Sequence, residues 1–268
     1  MINTPSAPTK VLIVDDSATL REVLAAMLSS EGIKVIGQFV SGKGLLQAIA
    51  QLSPDIICLD YELPGSNGIE LLQTIVSEHP HVAVVMITGE HNPNLKNAAA
   101  EAGAAGFIHK PFSQDQIIKE LRQIIHTQRQ LGAVEESDAV HSSTTVKFKA
   151  IVVDDSRMIR ALLAAILAQN GIQVISEATN GLRAVELTNE LQPDVVFLDV
   201  IMPVLGGIEA LKQIKNLRPS TKIVMITATS SRELVIEAVK AGAAGFIVKP
   251  LIAEKVSAAL AKVFSPCE

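Results

Sequence analysis

The segment IICLD at Ile56–Asp60 recurs as VVFLD at Val195–Asp199, 139 residues further along the chain. Each segment is a short apolar run that ends at a single carboxylate. A run that is apolar on both faces is typical of a central strand in a parallel sheet that helices cover on both sides. Ligands of open α/β sheets bind at the carboxyl ends of the strands, so Asp60 and Asp199 are both predicted to lie at a ligand site.

The similarity between the two halves of the chain extends well beyond these segments. Lys10–Pro111 aligns with Lys149–Pro250 without a gap, and Ala102–Ile108 is identical to Ala241–Ile247. A repeat of this length corresponds to a domain rather than to one unit of a solenoid. The sequence therefore predicts two homologous domains within 268 residues.

The segment between the two copies, residues 132–148, breaks the periodicity and consists mainly of small, polar and acidic residues. This composition is typical of a flexible linker. We therefore expect the domains to span residues 8–131 and 149–265. His141 lies in the linker without a helical context that would suit a phosphoacceptor, and we interpret it as an inert surface residue.

Apolar runs and helical periodicities alternate within the first copy. The predicted strands are Val11–Val14, Ile33–Phe39, Ile56–Asp60, Val82–Ile87 and Gly106–His109. The predicted helices are Thr19–Ser30, Gly44–Leu52, Ile69–Val76, Asn94–Ala102 and Asp115–Arg129. This alternation predicts the α/β class, with two flavodoxin-like (βα)5 doubly wound domains. Each would have a parallel five-stranded sheet in the order 2-1-3-4-5.

The composition limits the class of protein. Apolar residues make up 48% of the chain and aromatic residues 3%, which suits sheets and helices built from aliphatic side chains. The two cysteines, Cys58 and Cys267, are too few for a disulfide framework, and neither a leader peptide nor a membrane span is visible. We therefore expect a cytoplasmic protein that does not enter a membrane. The net charge of −5 argues against nucleic acid as a partner.

Polar residues follow four of the five predicted strands, at the edge of the sheet where parallel strands end together. In the first copy they are Asp15, Asp16, Asp60, Thr88 and Lys110, and in the second Asp154, Asp155, Asp199, Thr227 and Lys249. Three adjacent carboxylates repel one another and favour a hard divalent cation, Mg²⁺ above all. A lysine and a hydroxyl beside the metal would face an anion. The set predicts a phosphoryl-binding site with the central aspartate as nucleophile.

Both copies, including the Lys110-Pro111 and Lys249-Pro250 pairs, resemble the receiver domain of two-component response regulators of the chemotaxis-regulator type. The resemblance implies that Asp60 and Asp199 accept phosphoryl groups from a histidine kinase or phosphotransfer protein. It implies one Mg²⁺ in each receiver, held by the acids and by the backbone carbonyls of Glu62 and Ile201. Chemistry would be limited to self-catalysed phosphorylation and dephosphorylation, so the chain is not expected to be an enzyme in any other sense.

The resemblance also assigns conformational roles. Thr88 and Thr227 would shift towards the phosphoryl oxygen, and Lys110 and Lys249 would neutralise another oxygen. The aromatic switch residues would be Phe107 and Phe246. The surface formed by the fourth helix, fifth strand and fifth helix, residues 92–129 and 231–262, would bind a downstream protein or pair the receivers within or between chains.

The residues at the mouths of the two sites differ in charge. Glu62 is replaced by Ile201, and Glu90 is replaced by Thr229. In the family these rim positions modulate the lifetime of the phosphoryl group, so the two copies are expected to gain and lose phosphate at different rates. The competing interpretation is that exposed acids at a rim are screened by solvent and have little effect.

The sequence shows no segment typical of an output domain after the second copy, which argues against a DNA-binding regulator. A phosphohydrolase with a strand-end nucleophile would carry a second aspartate where Glu62 and Ile201 lie. Signalling by phosphorylation-dependent protein–protein interaction is the expected function. The alternatives are a phosphate sink or relay branch, the input half of a longer regulator, and a docking scaffold that is never phosphorylated.

Overall fold

The computed structural model describes residues 8–90, 92–138, 146–228 and 231–264. They form two compact units, which divide between Ile125 and His126. Each unit contains a parallel five-stranded sheet with helices, which confirms the predicted fold class and repeat. No helix in these ranges is both long enough and apolar enough to cross a membrane.

The first unit follows the predicted alternation of strands and helices. Its strands are β1 (Lys10–Val14), β2 (Lys34–Phe39), β3 (Ile56–Asp60), β4 (Ala83–Thr88) and β5 (Gly106–His109). Its helices are α1 (Ala18–Ser30), α2 (Leu45–Leu52), α3 (Gly68–Glu78), α4 (Pro93–Glu101) and α5 (Gln114–Asp138). The sheet order is β2-β1-β3-β4-β5, as predicted. A short antiparallel pair, Glu62–Leu63 with Ser66–Asn67, precedes α3.

The apolar character of β3 explains its central place in the sheet. All five of its residues are buried, and it pairs in parallel with β1 on one side and β4 on the other. Helix α1 begins after Ser17, whose hydroxyl accepts a hydrogen bond from the Leu20 amide, and α3 begins after Asn67, whose side chain accepts one from Ile69. These caps place both helix starts directly beside the strand ends.

The second unit repeats this architecture. Its strands are β6 (Phe148–Val153), β7 (Ile172–Ala178), β8 (Val195–Asp199), β9 (Lys222–Thr227) and β10 (Gly245–Val248). Its helices are α6 (Arg157–Gln169), α7 (Gly181–Leu191), α8 (Gly207–Leu217), α9 (Arg232–Lys240) and α10 (Ala253–Phe264). The sheet order is β7-β6-β8-β9-β10, so β8 takes the central place that β3 has in the first unit.

Helix α5 is longer than predicted. The sequence indicated an end at Arg129 and a flexible linker from residue 132, but the helix continues to Asp138, so the linker prediction is wrong for residues 132–138. From His126 onward, α5 belongs to the second unit, where Val134 is 6% exposed and packs in the apolar core beside Leu131. This burial orders a segment whose composition is otherwise that of a linker. His141 lies outside the described residues.

Candidate functional site

The carboxyl ends of the strands bring the predicted site residues of the first unit together. Asp15 follows β1, Asp60 ends β3, Thr88 ends β4 and Lys110 follows β5. The Lys110 amide donates a hydrogen bond of 2.7 Å to the Thr88 carbonyl, and the Tyr61 amide donates one of 2.9 Å to Ile87. These backbone bonds set the register between strand ends, so the relative positions of the side chains follow from the sheet itself.

Lys110 joins two acids in the first unit. Its Nζ lies 2.8 Å from Asp15 Oδ2 and 3.0 Å from Asp60 Oδ1. Each of Asp15, Asp16 and Asp60 has a carboxylate oxygen within 4.8 Å of one from the others. Asp15 and Asp60 are buried, whereas Asp16 is exposed. The cluster therefore contains two buried acids, one exposed acid and the Lys110 cation.

The second unit repeats this arrangement with the equivalent residues. Lys249 Nζ lies 2.7 Å from Asp154 Oδ2 and 3.1 Å from Asp199 Oδ1. Asp155 completes the cluster of three carboxylates. The lysine side chain is 9% exposed here, against 25% for Lys110. The two sites therefore share their chemistry, and the second is better shielded from water.

Burial dominates the electrostatics of the nucleophile candidates. The pKa of the Asp199 carboxyl is raised to about 7, first by burial and then by the neighbouring Asp154 charge. Burial also raises the pKa of the Asp60 carboxyl, against the opposing effect of Lys110. Burial would lower the pKa of Lys249, but its ion pairs with Asp154 and Asp199 raise that pKa above its usual range. Both sites thus concentrate more negative charge than one lysine offsets.

The donor set in each unit fits a hard divalent cation such as Mg²⁺. Carboxylate oxygens are the ligands that such ions prefer, and three of them converge in each cluster. The buried atoms Asp60 Oδ1 and Asp154 Oδ2 are compensated by lysine ion pairs rather than by hydrogen bonds of good geometry. An ion would add a second cationic partner to these oxygens, which each pair with a lysine. The Glu62 amide donates a hydrogen bond to the Asp60 carboxylate, while ligation by the Glu62 and Ile201 carbonyls stays a prediction.

Two arginines that sequence reasoning missed support the first acid of each cluster. Arg21 Nη1 donates hydrogen bonds to the backbone carbonyls of Asp15 at 2.6 Å and Asp16 at 3.1 Å. Arg160 Nη1 donates one of 2.8 Å to the Asp154 carbonyl. The repeat could have identified these arginines, because both lie at the same position in it, one turn into the first helix of each domain.

Arg160 is held more firmly than Arg21. It is buried, and its Nε also forms an ion pair of 2.8 Å with Glu177 on β7. The first copy has Gln38 where the second has Glu177, so this ion pair has no charged equivalent there. The backbone after β6 is therefore attached to the neighbouring strand through a charged side chain.

The predicted switch and rim residues take different environments. Phe107 and Phe246 are half-buried, and the Phe107 ring packs edge-on to His109 with centroids 5.1 Å apart. The Thr88 hydroxyl accepts a hydrogen bond of 3.0 Å from the Glu90 amide. Three rim side chains, Glu62, Glu90 and Ile201, are exposed. The fourth rim position, Thr229, lies outside the described residues.

Comparisons with known proteins agree with this geometry. The family model of the response regulator receiver domain matches twice, at residues 11–122 and 150–261. The chain is 44% identical to the chemotaxis protein CheY of Thermotoga maritima over 43% of this chain and 96% of that protein, and 42% identical to its Bacillus subtilis counterpart over the same shares.

A solved structure of the CheX–CheY–BeF3–Mg²⁺ complex from Borrelia burgdorferi is also similar. It is 33% identical, covers 45% of this chain and 92% of that chain, and has a TM-score of 0.43. The two matches to the family model together span most of the described residues, one in each unit. The chain belongs to the response regulator receiver domain family of two-component signalling and carries two such domains in tandem.

Proposed function

We propose that both units accept a phosphoryl group, on Asp60 in the first and on Asp199 in the second, from a histidine kinase or phosphotransfer protein. The observation that carries this proposal is the duplicated ion-pair geometry. In each unit, one lysine lies within hydrogen-bonding distance of both the strand-end carboxylate and the acid that follows the first strand. Such a lysine would neutralise an anion that joins the carboxylate, which supports the proposal.

The proposed step is a direct transfer. A carboxylate oxygen of the aspartate attacks the phosphorus of a phosphohistidine, the P–N bond breaks, and its electron pair stays with the imidazole nitrogen, which takes up a proton from solvent. Lys110 or Lys249 changes its partner from the carboxylate to a phosphoryl oxygen. Mg²⁺, held by the three acids of each cluster, would supply charge neutralisation at the phosphoryl group.

The proposed output is a change in protein–protein interaction. The Thr88 hydroxyl oxygen accepts from the Glu90 amide, and the hydroxyl would donate its proton to a phosphoryl oxygen. Motion of Thr88 would pull on the loop after β4 and let the half-buried Phe107 move inward. The same roles are proposed for Thr227 and Phe246. A downstream protein, or another receiver, would bind through residues 92–129 or 231–262 in a two-state equilibrium.

The experiment uses the full chain, phosphoramidate as donor and intact-mass spectrometry. With Mg²⁺ we expect two added phosphoryl groups in the natural chain, one in Asp60→Asn, one in Asp199→Asn and none in the double variant. Chelation of the metal should abolish labelling in all four. Labelling that persists in the double variant would place the phosphoacceptor elsewhere and refute the assignment.

A second candidate, a phosphate sink, has a specific observation in its favour. Lys110 is 25% exposed and Lys249 is 9% exposed, so water reaches the first site more readily and should hydrolyse its aspartyl phosphate faster. The acids Glu62 and Glu90 at the first mouth would also slow loading by anionic donors. Loading and loss rates measured in Asp199→Asn and in Asp60→Asn test both points. Equal rates in the two variants would remove the support for a sink.

A further inference from the structure

The loop that follows the second phosphoacceptor has a backbone conformation that its residue does not favour. Val204 has a φ of +66°, in the left-handed region that β-branched residues rarely adopt. The Leu205 amide donates a hydrogen bond of 2.8 Å to the Pro203 carbonyl and closes a three-residue γ-turn centred on Val204. With a positive central φ, this turn is rare and strained. The first copy has Gly65, with a φ of +69°, at the equivalent position.

Neighbouring backbone groups hold this turn in place. The Gly181 amide, at the start of α7, donates a hydrogen bond of 3.0 Å to the Leu205 carbonyl. The Gly207 amide, at the start of α8, donates one of 3.0 Å to the Val200 carbonyl. A Cβ atom on Gly181 would lie 2.4 Å from the Leu205 oxygen, so the close approach requires glycine. The loop is therefore anchored at both ends, and the strain falls on Val204.

Folding does not explain the choice of valine. The Val204 side chain is 56% exposed and Ile201 is 67% exposed, while Met202 between them is buried. Glycine at position 204 would relieve the strain and lose little buried apolar area. A strained residue with an exposed apolar side chain is typical of a site that contacts something else. We call the pair Ile201 and Val204 the apolar lip.

The position of the apolar lip indicates what it contacts. Its residues lie two and five positions after Asp199, which is itself 4% exposed. A protein that delivers a phosphoryl group to so buried a carboxylate must come into contact with the surrounding rim. In the first unit the equivalent residues are Glu62 and Gly65. The rim of the first site therefore has a charged side chain at Glu62 and no side chain at Gly65.

We propose that the apolar lip binds the protein phosphodonor of the second receiver and selects a donor with apolar side chains around its phosphorylated histidine. The first receiver, with Glu62 and Gly65, would not select for such a donor. Val204 is a specificity-determining residue in this account and takes no part in the chemistry. The inference rests on the proposed phosphorylation of Asp199.

The test uses the full chain with Asp60→Asn, so that only Asp199 reports. Val204→Gly and Val204→Asn remove the apolar side chain, and both introduce a residue that tolerates the positive φ. Leu217→Asn removes an exposed leucine at the far end of α8 and serves as the matched control. The donors are phosphoramidate and the purified, phosphorylated kinases and phosphotransfer proteins encoded in the same genome.

We expect the Val204 variants to lower transfer from the fastest protein donor by about tenfold, the loss that follows when an exposed valine is no longer buried on binding. Phosphoramidate labelling should stay within about twofold, and Leu217→Asn should change neither rate. Val204→Asn should also raise the melting temperature, because the strain is relieved.

Unchanged protein-donor transfer in both Val204 variants would overturn the inference, and so would a melting temperature lowered together with both transfer rates. The inference would also be overturned if protein donors phosphorylate Asp60 in the Asp199→Asn chain and none of them phosphorylates Asp199 in the Asp60→Asn chain. Failure of phosphoramidate to label Asp199 in the Asp60→Asn chain would instead refute the proposed function. The two failures are therefore distinguishable.

Discussion

Replacing Asp199 by asparagine should stabilise the second unit at neutral and alkaline pH. The pKa of this carboxyl is raised to about 7 in the folded chain, whereas an aspartate in an unfolded chain titrates near ~4. Between these values the folded state holds a proton that the unfolded state has released, so stability falls as pH rises through this window. Each unit of pKa difference corresponds to about 1.4 kcal/mol, which makes the loss on the order of 2–4 kcal/mol by about pH 8.

The charged groups around Asp199 determine the sign of this effect. Asp154 and Asp155 oppose its ionisation and Lys249 favours it, with burial as the largest contribution. An asparagine side chain carries no charge, so the Asp199→Asn chain should gain most at high pH and little below about pH 5. Asp60→Asn should gain less, because Lys110 and its surroundings are more open to water.

The assay is urea denaturation of the full chain in a metal chelator at about pH 5 and about pH 8, with the unfolding transitions of both units followed. The difference between Asp199→Asn and the natural chain should grow by on the order of 2–4 kcal/mol from the lower to the higher pH. A difference that does not depend on pH would refute the reasoning that burial and charge crowding raise this pKa.

Three further predictions follow from the two sites and from α5. Magnesium at a hundredfold excess over its dissociation constant should stabilise a unit by about 2.7 kcal/mol, and Asp154→Asn should remove that gain from the second unit's melting transition. Arg160→Met should cost the second unit about 1–3 kcal/mol in urea unfolding, because the Asp154 carbonyl loses its buried donor, and Arg21→Met should cost the first unit less. Val134→Asp should destabilise the second unit by about 2–4 kcal/mol and lower the helix content measured by circular dichroism, because Val134 packs in the apolar core. A magnesium gain that persists in Asp154→Asn would contradict the proposed ligation, and an unfolding transition unchanged in Arg160→Met or Val134→Asp would contradict the contact concerned.

The sequence predicted the strands, their order and the grouping of the acids for one physical reason. Parallel strands that alternate with helices end at a common edge, so residues directly after strands come together wherever the sheet forms. The central strands β3 and β8 were recognisable because burial on both faces requires an unbroken apolar run. The repeat supplied a second, independent copy of the same pattern.

The extent of α5 could not be predicted in this way. Residues 132–138 contain few apolar side chains, and their composition is that of a linker. The helix extends through these residues because Val134 is buried. The surface that buries Val134 is built by α6 and other parts of the second unit that are distant in sequence. Local propensity is a weak guide where packing supplies most of the stability of a helix.

Sequence alone thus determined which residues form the two sites, because the alternation of strands and helices predicts the sheet order and the residues that follow the strands can be read from the sequence. Only the tertiary structure decided how the sites differ in shielding, in backbone support and in the geometry of the loop after the central strand. The shielding of Lys249, the support of Asp154 by Arg160 and the positive φ of Val204 depend on distances and backbone angles set by long-range packing. The exchange of Gly65 for Val204 is visible in the alignment of the copies. That the backbone keeps its left-handed turn there, and leaves the Val204 side chain exposed, follows only from the anchored loop around it.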